Sequence, residues 1–122
     1  MTLRCVIVDD NERFLEAAAA RLSGDGMEVL GTATTSAAAL ELTERVRPNV
    51  VLVDISLGDE SGFDVARRLV EAFPDLTSSV VLISTRSEEE YARLAAESGA
   101  AGFLPKLQLS AQAVLDLVSA NR

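Results

Sequence analysis

At 122 residues the chain has room for one domain and one core, and residues 1–122 read as a single unit. Nineteen acidic against eleven basic residues give a formal charge of −8, which opposes direct nucleic-acid binding, since that binding relies on Lys and Arg neutralising phosphates. The absence of histidine excludes a Ser-His-Asp triad and His-ligated zinc, and one cysteine neither forms an internal disulfide nor replaces those ligands.

Cys5-Val6-Ile7-Val8 is a short, continuous apolar run rich in β-branched residues, the pattern of a strand buried on both faces. A buried, inert thiol is expected for Cys5. Asp9 and Asp10 follow directly and interrupt any signal-peptide core. No apolar run approaches the roughly 20 residues that span a bilayer, so a cytoplasmic protein without a membrane partner is expected. The spacing predicts a helix over 11–22, with Phe14, Leu15, Ala18 and Leu22 on one stripe and Asp10 as a candidate cap. The turn Ser23-Gly24-Asp25-Gly26 ends it.

Met27 to Ala33 reads as a weaker strand with Gly31 inside it. Ser36 to Val46 reads as a helix, Ser36 its N-cap and Pro48 just beyond its end. Val50-Val51-Leu52-Val53 is the second strong strand. The next helix runs from Phe63 to Phe73 and is stopped by Pro74. Val80-Val81-Leu82-Ile83 is the third strong strand. Ser87-Glu88-Glu89-Glu90 forms a capping box for a helix to Ser98, with Gly99 as its C-terminal signal. Ala101 to Leu104 is a short fifth strand, and a last helix spans Ser110 to about Asn121. Five strand-helix repeats imply a mostly parallel sheet with helices on both faces.

In such sheets ligands bind beyond the carboxyl ends of the strands. Asp9 and Asp10 follow the first strong run, Asp54 the second, Ser84 and Thr85 the third, and Lys106 lies just past the fifth strand. Singly, each is an ordinary loop residue: an acid caps a helix, a hydroxyl satisfies backbone, a lysine is solvated. Together, three carboxylates at one edge repel one another unless a cation lies between them. Oxygen ligands without Cys or His favour a hard ion, and magnesium suits a site with few protein ligands. A carboxylate beside such an ion can form an aspartyl-phosphate, with Lys106 offsetting phosphoryl charge and Ser84 hydrogen-bonding its oxygens.

The spacing of Asp10, Asp54, Ser84 and Lys106 resembles that of response-regulator receiver domains of the chemotaxis type, without insertion or deletion. So do Val8-Asp9-Asp10-Asn11, the stretch from Asp54 through Gly62 to Phe63, and Gly99 to Lys106. The resemblance covers essentially the whole chain. It implies a flavodoxin-like (βα)5 fold, a five-stranded parallel sheet of order 2-1-3-4-5. It implies Asp54 as phospho-acceptor and Mg2+ held by Asp10, Asp54 and the backbone carbonyl of Ser56, with Asp9 helping through water. It further implies Lys106 and Ser84 on the phosphoryl group, and Ser84 with Phe103 as the switch pair acting on a surface of the fourth helix, fifth strand and fifth helix. Thr85, Ser56 and Arg86 take positions that tune dephosphorylation. The implied partners are a sensor histidine kinase, an unidentified output partner or effector domain, and a second copy in a phosphorylation-dependent homodimer. The chain is then a phospho-acceptor and not an enzyme acting on other substrates.

The chain departs from the family pattern at three places. Phe103 lacks the hydroxyl of the usual Tyr. Leu107 follows Lys106 where Pro is common, so no cis peptide is expected there. Gly58 replaces a frequent Pro and is expected to loosen the loop after Asp54. A phosphorylation-independent pseudo-receiver is the main rival. A haloacid-dehalogenase-type phosphatase would require a second acid where Ser56 stands, and a cap domain. A flavodoxin-like FMN protein would require a glycine- and hydroxyl-rich phosphate loop where Asp9-Asp10-Asn11-Glu12 stands.

Overall fold

The three continuous apolar runs become the three central strands. A computed structural model describes residues 2–86 and 89–120. It places β1 (Arg4–Val8), β3 (Val50–Asp54) and β6 (Val80–Ser84) side by side, with every residue of β3 and β6 buried. β2 (Glu28–Ala33) and β7 (Gly102–Pro105) form the edges. All pairings are parallel, in the order β2-β1-β3-β6-β7. β4 (Ser56–Leu57) and β5 (Glu60–Ser61) form a separate antiparallel hairpin. With that hairpin set aside, the central sheet has the expected 2-1-3-4-5 order.

Strand alternation divides the core into two layers. Cys5, Ile7, Val50, Leu52, Val81 and Ile83 face one side. There they meet Leu15 and Leu22 of α1 (Glu12–Gly24) and Val114 and Val118 of α5 (Ala111–Ala120). Val6, Val8, Val51, Val53, Val80 and Leu82 face the other. They meet Leu42 of α2 (Ser36–Val46), Val65 and Leu69 of α3 (Gly62–Ala72), and Ala95 of α4 (Glu89–Glu97). Two covered faces explain why the strands read as unbroken apolar runs rather than as alternating ones. Gly31 lies where a Cβ would come within 3.0 Å of Leu42 Cδ2, so its missing side chain lets α2 lie close to β2. No described helix is long and apolar enough to cross a membrane.

Several helix starts differ from expectation by one residue. Asn11, not Asp10, caps α1: its side chain accepts the amides of Arg13 and Phe14 at 3.1 and 3.2 Å. Thr35, not Ser36, caps α2, accepting from the amide of Ala38 at 3.1 Å. α3 begins at Gly62 behind its cap Ser61, and Phe73 is its C-cap. At α1 and α2 the neighbouring polar residue is released for a tertiary contact. Ser87 and Glu88 of the expected capping box, and Asn121 at the expected end of the last helix, lie outside the described residues.

Burial sets what mutation should cost. Leu82, fully buried in β6, should lose about 3 kcal/mol on Leu82→Ala through lost transfer energy and a cavity. Leu107 is fully exposed, so Leu107→Ser should change stability by no more than about 0.5 kcal/mol. Urea unfolding of the two variants checks the difference.

Candidate functional site

The parallel register carries the polar residues to one edge. Val8 pairs with Val53, Asp54 with Ile83, and Ser84 with Pro105. The next residues after β1 and β7 are therefore Asp9 and Lys106, flanking Asp54 at the end of β3.

Asp9 is fully buried. Its Oδ1 accepts the Asn11 amide at 2.8 Å. Its Oδ2 lies 2.6 Å from Lys106 Nζ. That contact is Coulombic and not aligned as a hydrogen bond, so Asp9 Oδ2 is a buried oxygen without a hydrogen-bond partner. Asp54 is 6% exposed. Its Oδ1 accepts the Ser56 amide at 3.2 Å, and its Oδ2 accepts from Lys106 Nζ at 3.5 Å. Asp10 is exposed, and its Oδ2 accepts the Gly58 amide at 3.1 Å. Lys106 itself is largely enclosed, its ammonium 4.2 Å from the centre of the Phe14 ring.

One ammonium pairs with two of the three carboxylates, so the cluster keeps a formal charge of −2. Burial raises the pKa of Asp54 first, the Ser56 amide opposes the rise, the nearby Asp9 charge adds to it, and Lys106 lowers it. One oxygen from each of Asp9, Asp10 and Asp54 lies within 4.8 Å of the others. An all-oxygen donor set and an excess of negative charge fit a hard divalent cation. Asp9, Asp10 and Asp54 could together hold a metal ion.

The hairpin after Asp54 is shaped to this cluster. A Cβ on Gly62 would overlap the Asp54 carbonyl oxygen and Ile55 Cα, so only glycine lets α3 start against the strand end. Gly58, expected to loosen the loop, has a left-handed φ of +59° and is held by Asp10 through its amide. Ser56 is exposed at the start of β4.

Ser84 is buried at the end of β6, and its Oγ accepts the Arg86 amide at 3.0 Å. Thr85, just past the end of β6, is exposed. A cavity of about 290 Å³ is lined by Asp54, Ser56, Ser84, Thr85, Arg86 and Lys106, together with Ile55 and Tyr91. A larger cleft of about 500 Å³ lies at Arg21, Asp25 and Gln112, where Arg21 and Asp25 already pair with each other. Phe103 is half-buried, edge-on to Tyr91 with ring centres 5.3 Å apart. Tyr91 in turn meets Phe63 at 6.0 Å. No described peptide is cis, so Lys106 and Leu107 are joined in trans as expected.

Sequence reasoning placed Asp9, Asp10, Asp54, Ser84 and Lys106 at this edge, and the structure brings them together. It missed Tyr91 on the cavity wall and Phe14 beneath the lysine. Phe14 was read only as core stripe. Tyr91 was legible as the one aromatic residue in its helix.

Residues 5–118 match the family model for the response regulator receiver domain. The transcriptional regulatory protein DegU of Brevibacillus brevis is 30% identical over 117 residues, 95% of this chain and 48% of that protein. The chain therefore spans about half the length of that curated relative. The solved signal receiver domain of the Mycobacterium tuberculosis response regulator NarL is 34% identical, with a TM-score of 0.77, covering 98% of this chain and 93% of that one. A Burkholderia pseudomallei response regulator, solved with a phosphorylated aspartic acid, a calcium ion and citrate, is 25% identical with a TM-score of 0.82, covering 98% of this chain and 68% of that one.

The raised pKa of Asp54 has a consequence for stability. Its carboxylate is disfavoured in the folded state relative to an unfolded value of about 3.9. The penalty is absent below that value, grows as pH rises from it towards the folded one, and is complete above the folded one. With a chelator present, Asp54→Asn should raise stability at neutral pH and flatten the loss of stability on leaving the acidic range. Urea unfolding at stepped pH measures both, and a variant no more stable than wild type at pH 7 would contradict the reading.

Proposed function

The chain belongs to the response regulator receiver domain family of two-component signalling, and we propose that within it Asp54 accepts the phosphoryl group from a sensor histidine kinase. The observation that carries this reading is the Lys106 ammonium shared between buried Asp9 and Asp54, on the wall of a cavity that also contains Ser84.

In the proposed reaction a carboxylate oxygen of Asp54 forms the new O–P bond while the N–P bond of a phosphohistidine breaks. The departing imidazole takes a proton from water. Asp54 is suited to this because neither of its oxygens is held tightly: one contact is 3.2 Å and the other 3.5 Å. Asp9, Asp10, Asp54 and the Ser56 carbonyl would hold Mg2+, which would supply positive charge against the phosphoryl oxygens. Lys106 supplies the remaining positive charge from a fixed position, since Phe14 and Asp9 hold its ammonium before the reaction. The protein's part is thus positioning and electrostatics.

The phosphoryl oxygens then accept from the Ser84 hydroxyl, whose oxygen had accepted the Arg86 amide, and the residues from 84 to 86 move. Phe103, Tyr91 and Phe63 form a row leading from this loop, so a shift of Ser84 repacks the rings and biases a surface of α4, β7 and α5. That surface engages the output partner or effector domain, or a second copy of the chain. A cytoplasmic setting suits the kinase donor. The phosphorylated aspartic acid and bound calcium of the Burkholderia relative support the assignment to Asp54 and its neighbours.

Incubation with Mg2+ and phosphoramidate or acetyl phosphate, followed by intact-mass measurement, tests the chemistry. Wild type should gain one labile phosphate and Asp54→Asn none. Ser84→Ala should still take up phosphate but lose the accompanying change in partner binding. No gain by the wild type would overturn the reading in favour of a phosphorylation-independent receiver.

A further inference from the structure

We infer that Glu60 is a positioning residue for the metal-holding loop, gripping the β4–β5 hairpin to α2 and α3 so that the Ser56 carbonyl and Gly58 amide stay at the site. The inference rests on the receiver reading above and adds a residue to it.

The hairpin has only two residues per strand, with Ser56 opposite Ser61 and Leu57 opposite Glu60. A ribbon this short has little stability of its own and takes its position from what anchors it. On the site side it is tied to Asp10 through Gly58 and to Asp54 through the Ser56 amide. Both are groups the cation would draw on, so neither tie is independent of the ion.

Glu60 is the tie on the other side. Its Oε1 accepts the Ser36 hydroxyl at 2.5 Å, and its Oε2 accepts the Ser36 amide at 3.2 Å. Both carboxylate oxygens are thereby fixed on one residue, which sets the orientation of the group as well as its place. Arg68 of α3 closes the junction, 3.5 Å from Glu60 Oε1 and donating to Ser36 Oγ at 3.3 Å. Ser36 is buried, and its amide belongs to the first turn of α2, where no intrahelical acceptor is available. Thr35 serves Ala38 and leaves this amide to Glu60. Leu57, directly across from Glu60 and adjacent to Ser56, is buried, so displacement of β5 carries the Ser56 carbonyl with it. Removing the grip transfers the ordering of that carbonyl to the moment of ion binding, which weakens binding.

Mg2+ titration by calorimetry on the whole chain, under conditions where urea unfolding shows each variant fully folded, tests this. Glu60→Met should raise the Mg2+ Kd about tenfold, the scale typical of groups that orient a metal ligand. Glu60→Gln, which keeps one acceptor and packs alike, should fall between it and wild type and serves if Glu60→Met does not fold. Ser36→Ala added to Glu60→Met should cost no further affinity. A purely structural Glu60 would lower the unfolding midpoint and leave the Kd within about twofold of wild type, and that result, or additive losses in the double variant, would overturn the inference. Failure of the wild type itself to bind Mg2+ would instead overturn the parent reading, and this one with it.

Discussion

The pairing of Lys106 with Asp9 is the constraint on which the rest of the site depends. A buried carboxylate oxygen without a hydrogen bond is costly, and Asp9 Oδ2 is tolerable only with the ammonium 2.6 Å away. That ammonium comes from the far side of the sheet, past β7, with β3 and β6 between. Its place is set by the parallel register from Val8 through Val53, Asp54 and Ser84 to Pro105. The two apolar layers fix that register, because a slip of one residue would turn each strand's side chains to the wrong face. The core therefore does more than stabilise: it sets the distances between charges contributed by three different strands.

The same cluster works against the fold that holds it. Asp54 is buried near Asp9, and burial together with that neighbouring charge outweighs what the Ser56 amide and Lys106 return. Concentrated destabilisation at one edge of an otherwise consistent structure is expected of a site under functional demand. Glu60 shows the opposite arrangement a short distance along the chain: the Ser36 hydroxyl and then its amide hold its carboxyl below the usual range. One acid is left wanting a partner and the other is fully supplied, and the β4–β5 hairpin joins them.

How much of this was legible in the sequence follows from what each signal encodes. The continuous runs at Val50 and Val80 declared two-sided burial, and Asp54 and Ser84 at their ends declared the edge. Caps were less legible because Asp10-Asn11 and Thr35-Ser36 each present two residues of similar capping ability. The choice was made by tertiary demand: Asp10 is drawn to Gly58, Ser36 to Glu60. The hairpin was invisible to periodicity, since two residues make no period. Gly58, read as slack, is a left-handed position with a bonded amide, which no pattern in one sequence announces.

The row of rings from Phe63 through Tyr91 to Phe103 also has an optical side. The chain contains no tryptophan and one tyrosine. Tyrosine emission from the folded protein therefore originates at a single ring on the cavity wall, in edge contact with Phe103. The molecule carries its own luminescent gauge at the place where the loop after β6 meets α4. A ligand that moves Tyr91 would register in that emission, in the unlabelled protein.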